Sequence, residues 1–353
     1  MPSSLRARLA AVTATAVVIG AALPLTAATP AGAADGAKKK IEVLAAFYPL
    51  AWVAEQVGGK RVAVTNLTPA GTEPHDLELT PRQRDQIEDA DLVIVMGSGF
   101  QPAVEDAADA RDGGTLALLA RLPIDGAGNK VAEHEHEEGE EGHSDEKKHS
   151  DEKKHSDEKK HSDEKKHSDE EEHSDEEGLD PHVWLDPELM EAIVDETVTA
   201  LAKADPKGAA TYEANGEALK TELAALDERY ATGLAQCDRR LIVTAHDAFG
   251  YLAGAYDLQQ EGVSGLAPDE EPNPKRLAEL ADLVQAKGVT TIFTEELVSP
   301  RIAQTLAREA GGLETDTLNP LEGLTAKEIS RGDDYVSVMD TNLKRLRAAL
   351  GCT

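Results

Sequence analysis

Apolar and polar positions fall into two alternating kinds of block over the first hundred or so residues of the folded chain. Ile41–Phe47 (IEVLAAF) is an apolar run of strand length. From Tyr48 the apolar residues Leu50, Val53, Ala54 and Val57 take helical spacing, and Gly58-Gly59 stops the helix. Arg61–Leu67 predicts a second strand, and a loop with Pro69, Gly71 and Pro74 leads to a short helix from Thr80 or Pro81 to Ala90. Asp91–Gly97 (DLVIVMG) predicts a third, buried strand, and Gln101–Ala110 a helix. Strands and helices joined by short loops argue for βα units and a parallel sheet.

The pattern resumes at Asp180 after a long interruption. Val183, Trp184 and Leu185 predict a short strand, and Pro187–Ala204 an amphipathic helix carrying Leu189, Ile193, Val194, Val198 and Leu201. From Pro206 to about Gln236, Leu219, Leu223, Leu226 and Tyr230 recur at spacings of three and four, so one long helix of roughly 45 Å is expected. Such a helix can join two lobes as a stiff strut. The βα rhythm then repeats: strands at Leu241–Thr244, Val289–Glu296 and Leu313–Leu318, and helices at Ala248–Tyr256, Asn273–Lys287, Ser299–Ala310 and Asp333–Leu350. The expected organisation is an α/β lobe over 38–204, a linking helix over 206–236 and a second α/β lobe over 237–353.

The interruption, Glu133–Gly178, has no aliphatic residue. It contains His134 and His136, four copies of HSDEKK starting at His143, His149, His155 and His161, and two altered acidic copies, HSDEEE from His167 and HSDEE from His173. Without apolar surface to bury, its composition predicts disorder. Imidazoles and carboxylates at this density also suit a weak site for borderline divalent cations such as Zn²⁺. The plainer alternative is a solvated spacer lengthened by repeat slippage.

Composition narrows the partners. The net charge is −31, of which the His-rich tract carries −13, which argues against nucleic acid or an anionic membrane surface. Arg6 and Arg8 precede an apolar run, Leu9–Leu25, and Ala31-Gly32-Ala33 forms a small-residue cleavage site. Residues 1–33 therefore predict an export signal; a membrane anchor is the rival, disfavoured by the Thr and Gly within the run and by Pro24. In an exported protein, the two cysteines, Cys237 and Cys352, most simply form one disulfide tying the start of the second lobe to the C-terminus.

The three histidines outside the tract carry the chemistry. His75 lies in the loop after the second strand, His182 in DPHVWLDP beside a short strand, and His246 directly after the strand LIVTA. Ligands of open α/β sheets bind outside the carboxyl ends of the strands. Three imidazoles in such places, drawn from both lobes, suit an interlobe Zn²⁺ site.

GTEPHDLELTP (Gly71–Pro81), DPHVWLDP (Asp180–Pro187) and VTAHDAFGYLA (Val243–Ala253) resemble the three His-bearing motifs of the zinc-type, ZnuA-like solute-binding proteins of metal ABC importers. PDEEPNPKRLAEL (Pro268–Leu280) and TDTLNPLEG (Thr315–Gly323) resemble segments that follow them. The resemblance covers essentially the whole mature chain. It implies two α/β lobes with parallel sheets joined by one long rigid helix, metal in the cleft between them, and His75, His182 and His246 as ligands. It also implies an acidic, His-rich loop between the first two ligand motifs. The related manganese-type proteins carry a carboxylate where His246 stands, so Mn²⁺ is the weaker candidate.

Asp316, in TDTLNPLEG, is the expected fourth ligand, with Glu73, Glu295 and water as rivals. Asp76, Asp186 and Asp247 stand near the ligands and are candidates to orient the imidazole rings or, equally, to cap helices and make turns. The implied partners are the membrane permease and ATPase subunits of an importer, with the protein itself a monomer. No lipidation cysteine follows the signal, unlike Gram-positive members, which leaves retention at the membrane open. Competing functions are a secreted zinc hydrolase and an adhesin. Against the hydrolase, there is no HExxH helix, no Gly-x-Ser-x-Gly and no general base at fixed spacing. The expectation is a non-enzymatic, exported zinc-capturing protein.

Overall fold

The computed structural model describes residues 40–124, 179–268, 272 and 274–353. The expected export signal (1–33) and the His-rich tract (133–178), with its eight histidines, lie outside the described residues.

The first sheet is built from β1 (Ile41–Ala45), β2 (Val62–Asn66), β3 (Leu92–Val95) and β4 (Gly114–Ala117). Helices α1 (Tyr48–Gly58), α2 (Pro81–Asp89) and α3 (Pro102–Asp109) connect them. After the tract come α4 (Pro187–Ala204) and α5 (Ala209–Leu234). The second sheet uses β5 (Leu241–Thr244), β6 (Gln259–Gly262), β7 (Thr291–Thr294) and β8 (Glu314–Thr317). Between and after these strands run α6 (Gly250–Ala255), α7 (Pro274–Lys287), α8 (Arg301–Glu309), α9 (Ala326–Arg331) and α10 (Tyr335–Leu350). All pairings between these strands are parallel. The strand orders, β2-β1-β3-β4 and β6-β5-β7-β8, are the same topology used twice.

Local chemistry accounts for many of the boundaries. Thr80 caps α2 in a box with Gln83, and Pro81 supplies the pre-set φ of the first turn. Thr325 with Glu328, and Asp334 with Ser337, cap α9 and α10 in the same way. β1, β3, β5 and β7 are central strands covered on both faces, so their sequences read as apolar runs.

The 26-residue α5 runs about 39 Å at the standard rise and touches both lobes. Near its start Asn215 donates to the Val57 carbonyl at the end of α1, at 2.8 Å. Near its end Tyr230 donates to the Met339 carbonyl of α10, at 2.7 Å. Its buried residues Tyr212, Leu219, Leu223, Leu226 and Tyr230 form one face. At Gly216 a Cβ would meet Val198 of α4 at 2.6 Å, so α4 and α5 pack at glycine-only separation there.

One continuous core joins the first sheet, α4, α5 and the inner face of the second sheet, including Ile242, Phe249, Phe293 and Tyr335. The outer face of the second sheet, with Leu241, Val243 and Ile292, packs separately under α7 and α8. The alternation Leu241 out, Ile242 in, Val243 out is the two-residue period of a strand. Cys237 and Cys352 form a disulfide between the end of α5 and the residues after α10. Among the described residues no helix is long and apolar enough to cross a membrane.

Val183–Leu185 departs from the expected strand and forms a 3-10 turn. These residues are apolar because they plug the core, each fully buried, and not because they pair in a sheet. The Asp180 carboxylate accepts the His182 N–H at 2.9 Å and curls the chain before the turn forms.

Candidate metal centre

Four side chains converge where the carboxyl ends of the two sheets face each other. His75 comes from the loop after β2, His182 from the turn before α4, His246 from two residues beyond β5, and Glu322 from the loop after β8. Their ligand atoms all lie within 4.8 Å of one another. His182, His246 and Glu322 are buried to within 1 % exposure, whereas the His75 side chain keeps 10 %.

The geometry has a single focus. The Nε2 atoms of His75, His182 and His246 stand 3.3, 3.2 and 3.1 Å from one oxygen, Oε1 of Glu322. A tetrahedral ion with bonds of about 2.0–2.2 Å to nitrogen and oxygen would separate neighbouring ligand atoms by about 3.4 Å. The three edges that meet at Glu322 Oε1, at 3.1–3.3 Å, are close to that length, and all the ligand atoms lie within 4.8 Å of one another. The other carboxylate oxygen, Glu322 Oε2, is buried with no hydrogen-bond partner. A buried polar atom without a partner is costly, and a cation bound to this carboxylate would offset that cost.

Local carboxylates hold the rings. Asp180 Oδ1 accepts both the backbone N–H of His182 and its ring Nδ1–H, the latter at 2.8 Å. Glu295 Oε1 does the same for His246, also at 2.8 Å to Nδ1. An ionised carboxylate can only accept, so each pair puts a proton on Nδ1 and turns Nε2 toward the centre. At His75 the oxygens of Glu73 accept the backbone N–H at 3.2 Å, and Oε1 sits 4.0 Å from Nε2. The Phe100 ring packs edge-on against His75 at 4.4 Å between centroids. Phe47 and Trp184 continue that apolar wall.

Electrostatics couple the four groups. Burial works against a charged His246, but the carboxylates of Glu295 and Glu322 outweigh it and push this imidazole well above its ordinary value. His182 is likewise raised, burial being overcome by Asp180 and Glu322. For Glu322 burial favours the neutral acid, yet His246, with hydrogen bonds from its neighbours, holds it well below the usual carboxylate range. Glu73 goes the other way: burial, then repulsion by Glu322, raise it to about 7.

Asp316 does not join the cluster. It is the third of four residues in an edge strand, its side chain is 46 % exposed, and it faces Arg345 at 3.6 Å. The fourth member of the cluster, and its carboxylate, is Glu322, six residues further along the same motif, where the chain has left the sheet. The signal was available: TDTLNPLEG contains two acids, and only the second follows the strand. Glu295, considered as a ligand, instead holds the Nδ1 of His246.

The three aspartates also separate. Asp76 is exposed, and Asp186 caps α4 by accepting the Glu188 N–H. Asp247 accepts the Gly262 N–H at 2.6 Å, in a space that a Cβ at Gly262 would fill. The ring-orienting acids that sequence reasoning missed are Asp180 and Glu295.

A family model described as zinc-uptake complex component A, periplasmic (ZnuA), matches residues 43–349. The chain belongs to the ZnuA family. It is 35 % identical over 332 residues to the zinc-binding lipoprotein AdcA of Streptococcus pneumoniae, covering 92 % of this chain. The match takes in 58 % of AdcA, so the chain spans less than two thirds of the length of that relative. It is 32 % identical over 320 residues to the high-affinity zinc uptake system protein ZnuA of Bacillus subtilis, covering 90 % of each. Among solved structures, the Zn(II)-bound ZnuA-like domain of pneumococcal AdcA superposes with a TM-score of 0.63 at 32 % identity. That alignment covers 88 % of this chain and 99 % of the domain. The periplasmic zinc-binding protein TroA of Treponema pallidum, at 20 % identity and a TM-score of 0.69, shares the fold. This ZnuA-family chain thus has the two-lobed architecture of its relatives.

Proposed function

We propose that the protein captures Zn²⁺ outside the cytoplasm and delivers it to an ABC-type importer, acting through His75, His182, His246 and Glu322. The observation that carries this reading is the convergence of three imidazole Nε2 atoms on one buried carboxylate oxygen at 3.1–3.3 Å. Three nitrogens and one oxygen in a tetrahedron suit zinc, whereas manganese favours more oxygen and a larger coordination number. Four protein ligands also close the sphere. A hydrolase needs an open position for its attacking water, so the ligand set supports sequestration over turnover.

Asp180 and Glu295 pre-orient two of the rings, and the less buried His75 marks the side from which the ion enters and leaves. Because α5 packs against α1, α4 and α10, the lobes are braced, and release is assigned to contact with the permease. The histidines from His134 to His173 would act as a weaker collector beside the tight site.

Metal analysis and zinc titration of the mature protein lacking residues 133–178 test this reading. One tightly held zinc is expected, lost in His75→Ala and in His246→Ala. No tight site would overturn it. Restoring the tract should add weak sites; unchanged stoichiometry would remove the collector role alone.

A further inference from the structure

Glu322 is the only ligand of the centre without a local carboxylate or a strand end to place it. Its loop, Leu318–Gly323, is held by side chains that lie far away in sequence. Asn342, fully buried on α10, clamps the backbone of residue 319: its Oδ1 accepts the Asn319 N–H at 3.0 Å and its Nδ2 donates to the Asn319 carbonyl at 2.7 Å. The Asn319 side chain extends the clamp. Its Oδ1 accepts the Leu321 N–H at 2.7 Å, and its Nδ2 donates to Glu328 at 3.1 Å. Leu321 then takes a left-handed backbone, φ 60°, which leucine adopts only when its surroundings impose it. The next residue is Glu322. The turn enforced at Asn319 and Leu321 leads directly into Glu322, whose carboxylate meets the three imidazoles.

We propose that Asn342 is a positioning residue for the metal centre, fixing Glu322 through the Asn319 clamp. The inference rests on the zinc reading above. Asn342 touches none of the four ligands, so its effect on the metal must pass through the loop. Groups that orient a ligand at one remove typically change metal affinity about 10- to 100-fold when lost.

The test is a double-mutant cycle on the full chain, with zinc affinity read by competition against a chelator and folding followed by thermal melts. Asn342→Leu, close in shape and unable to form either bond, should weaken zinc binding about 10- to 100-fold. In a Glu322→Gln background the same substitution should cost about twofold or less, because the group it positions is already gone. If Asn342→Leu does not fold, Asn342→Asp keeps the acceptor for the Asn319 N–H, loses the donor, and carries the same cycle. Equal losses in both backgrounds, or no loss in either, overturn the inference while leaving the zinc site standing. An unmodified protein that takes up no zinc overturns both.

Discussion

The indole N–H of Trp184 donates to the Pro320 carbonyl at 2.7 Å, with both groups buried. Trp184 stands two residues after His182, and Pro320 two residues before Glu322. One hydrogen bond therefore ties the turn that carries a ligand in front of α4 to the loop that carries a ligand behind β8. The tie is reinforced from α10, where the Tyr335 hydroxyl donates to the Trp184 carbonyl at 2.6 Å.

Trp184→Phe keeps an aromatic ring against Phe47 and Phe100 but leaves the Pro320 carbonyl without its donor. The unsatisfied carbonyl costs about 1–3 kcal/mol, and the vacated ring space adds to that. Urea unfolding should show a loss of about 2–4 kcal/mol, and zinc affinity should fall as well, because the His182 turn loosens from the Glu322 loop. The protein has two tryptophans, and only Trp184 packs on a ligand, 5.2 Å from the His182 ring. A zinc-dependent change in emission should accordingly vanish in this variant. Wild-type affinity in Trp184→Phe would show that the contact is not a coupling.

The two acids of TDTLNPLEG should behave oppositely. Glu322→Gln removes the charge of a buried ligand and should weaken zinc binding by at least about 100-fold, with buried pairs losing more than exposed ones when one partner goes. Asp316→Asn alters an exposed pair with Arg345, worth about 0–1 kcal/mol, and should leave the affinity unchanged within about twofold. Chelator competition on the two purified variants decides it; a reversed ranking would place the metal on Asp316.

Legibility followed burial. The central strands β1, β3, β5 and β7 announced themselves because both faces are covered and their residues are apolar. Of the four edge strands, β2 and β8 were legible, whereas β4 (GTLA) and β6 (QQEG) went unseen because four residues with no apolar run or alternation leave no signal, and α9 was too short for a period to show. The three histidines could be read because each sits in a distinct motif. The resemblance favours Asp316 over Glu322, although the expected strand Leu313–Leu318 already puts Asp316 inside the sheet and Glu322 beyond its end; what no spacing shows is the left-handed turn at Leu321 that precedes Glu322. Of the rings' partners, Glu295 was hidden because it lies 49 residues from His246 and meets it only across the sheet, whereas Asp180 stands two residues before His182 in the same motif and was legible in principle.

Proton release should accompany metal binding. In the metal-free protein His246 is held well above its ordinary value and Glu322 well below, so at neutral pH the site holds an imidazolium–carboxylate pair. The raised His246 stabilises the metal-free fold fully below its unfolded value, and that contribution fades as pH rises through the folded value. The lowered Glu322 contributes above its unfolded value and loses that contribution as pH falls through the folded one. A metal ion needs the neutral imidazole, so it must displace the proton. Zinc affinity is expected to rise by up to about tenfold per pH unit from about pH 6.5, the ordinary histidine value, upward through the raised value of His246. Calorimetry in buffers of different ionisation enthalpy should record about one proton released per zinc. A pH-independent affinity with no proton release would show that the pair is not formed.

The disulfide should matter for stability and not for the metal. Cys237–Cys352 closes 115 residues of chain, a restriction of the unfolded state worth roughly 4–5 kcal/mol on chain-entropy grounds and about 2–5 kcal/mol when native disulfides are removed. The native contacts beside it do not need it. Arg239 donates from its backbone N–H to the Leu350 carbonyl at 3.1 Å and from Nε to the Ala349 carbonyl at 3.1 Å, and the Thr353 N–H reaches Gln236 at 3.0 Å. Asn342, which positions the Glu322 loop, lies ten residues back along α10, about 15 Å of helix from the bridge. The double variant Cys237→Ser/Cys352→Ser should thus unfold at lower urea by about 2–5 kcal/mol while its zinc affinity stays within about twofold. Serine replacement is the right test, because thiol reductants bind zinc themselves and would confuse the readout. A variant that folds but has lost the metal would mean that the end of α10 feeds into the site along the helix, and that the bridge belongs to the binding machinery.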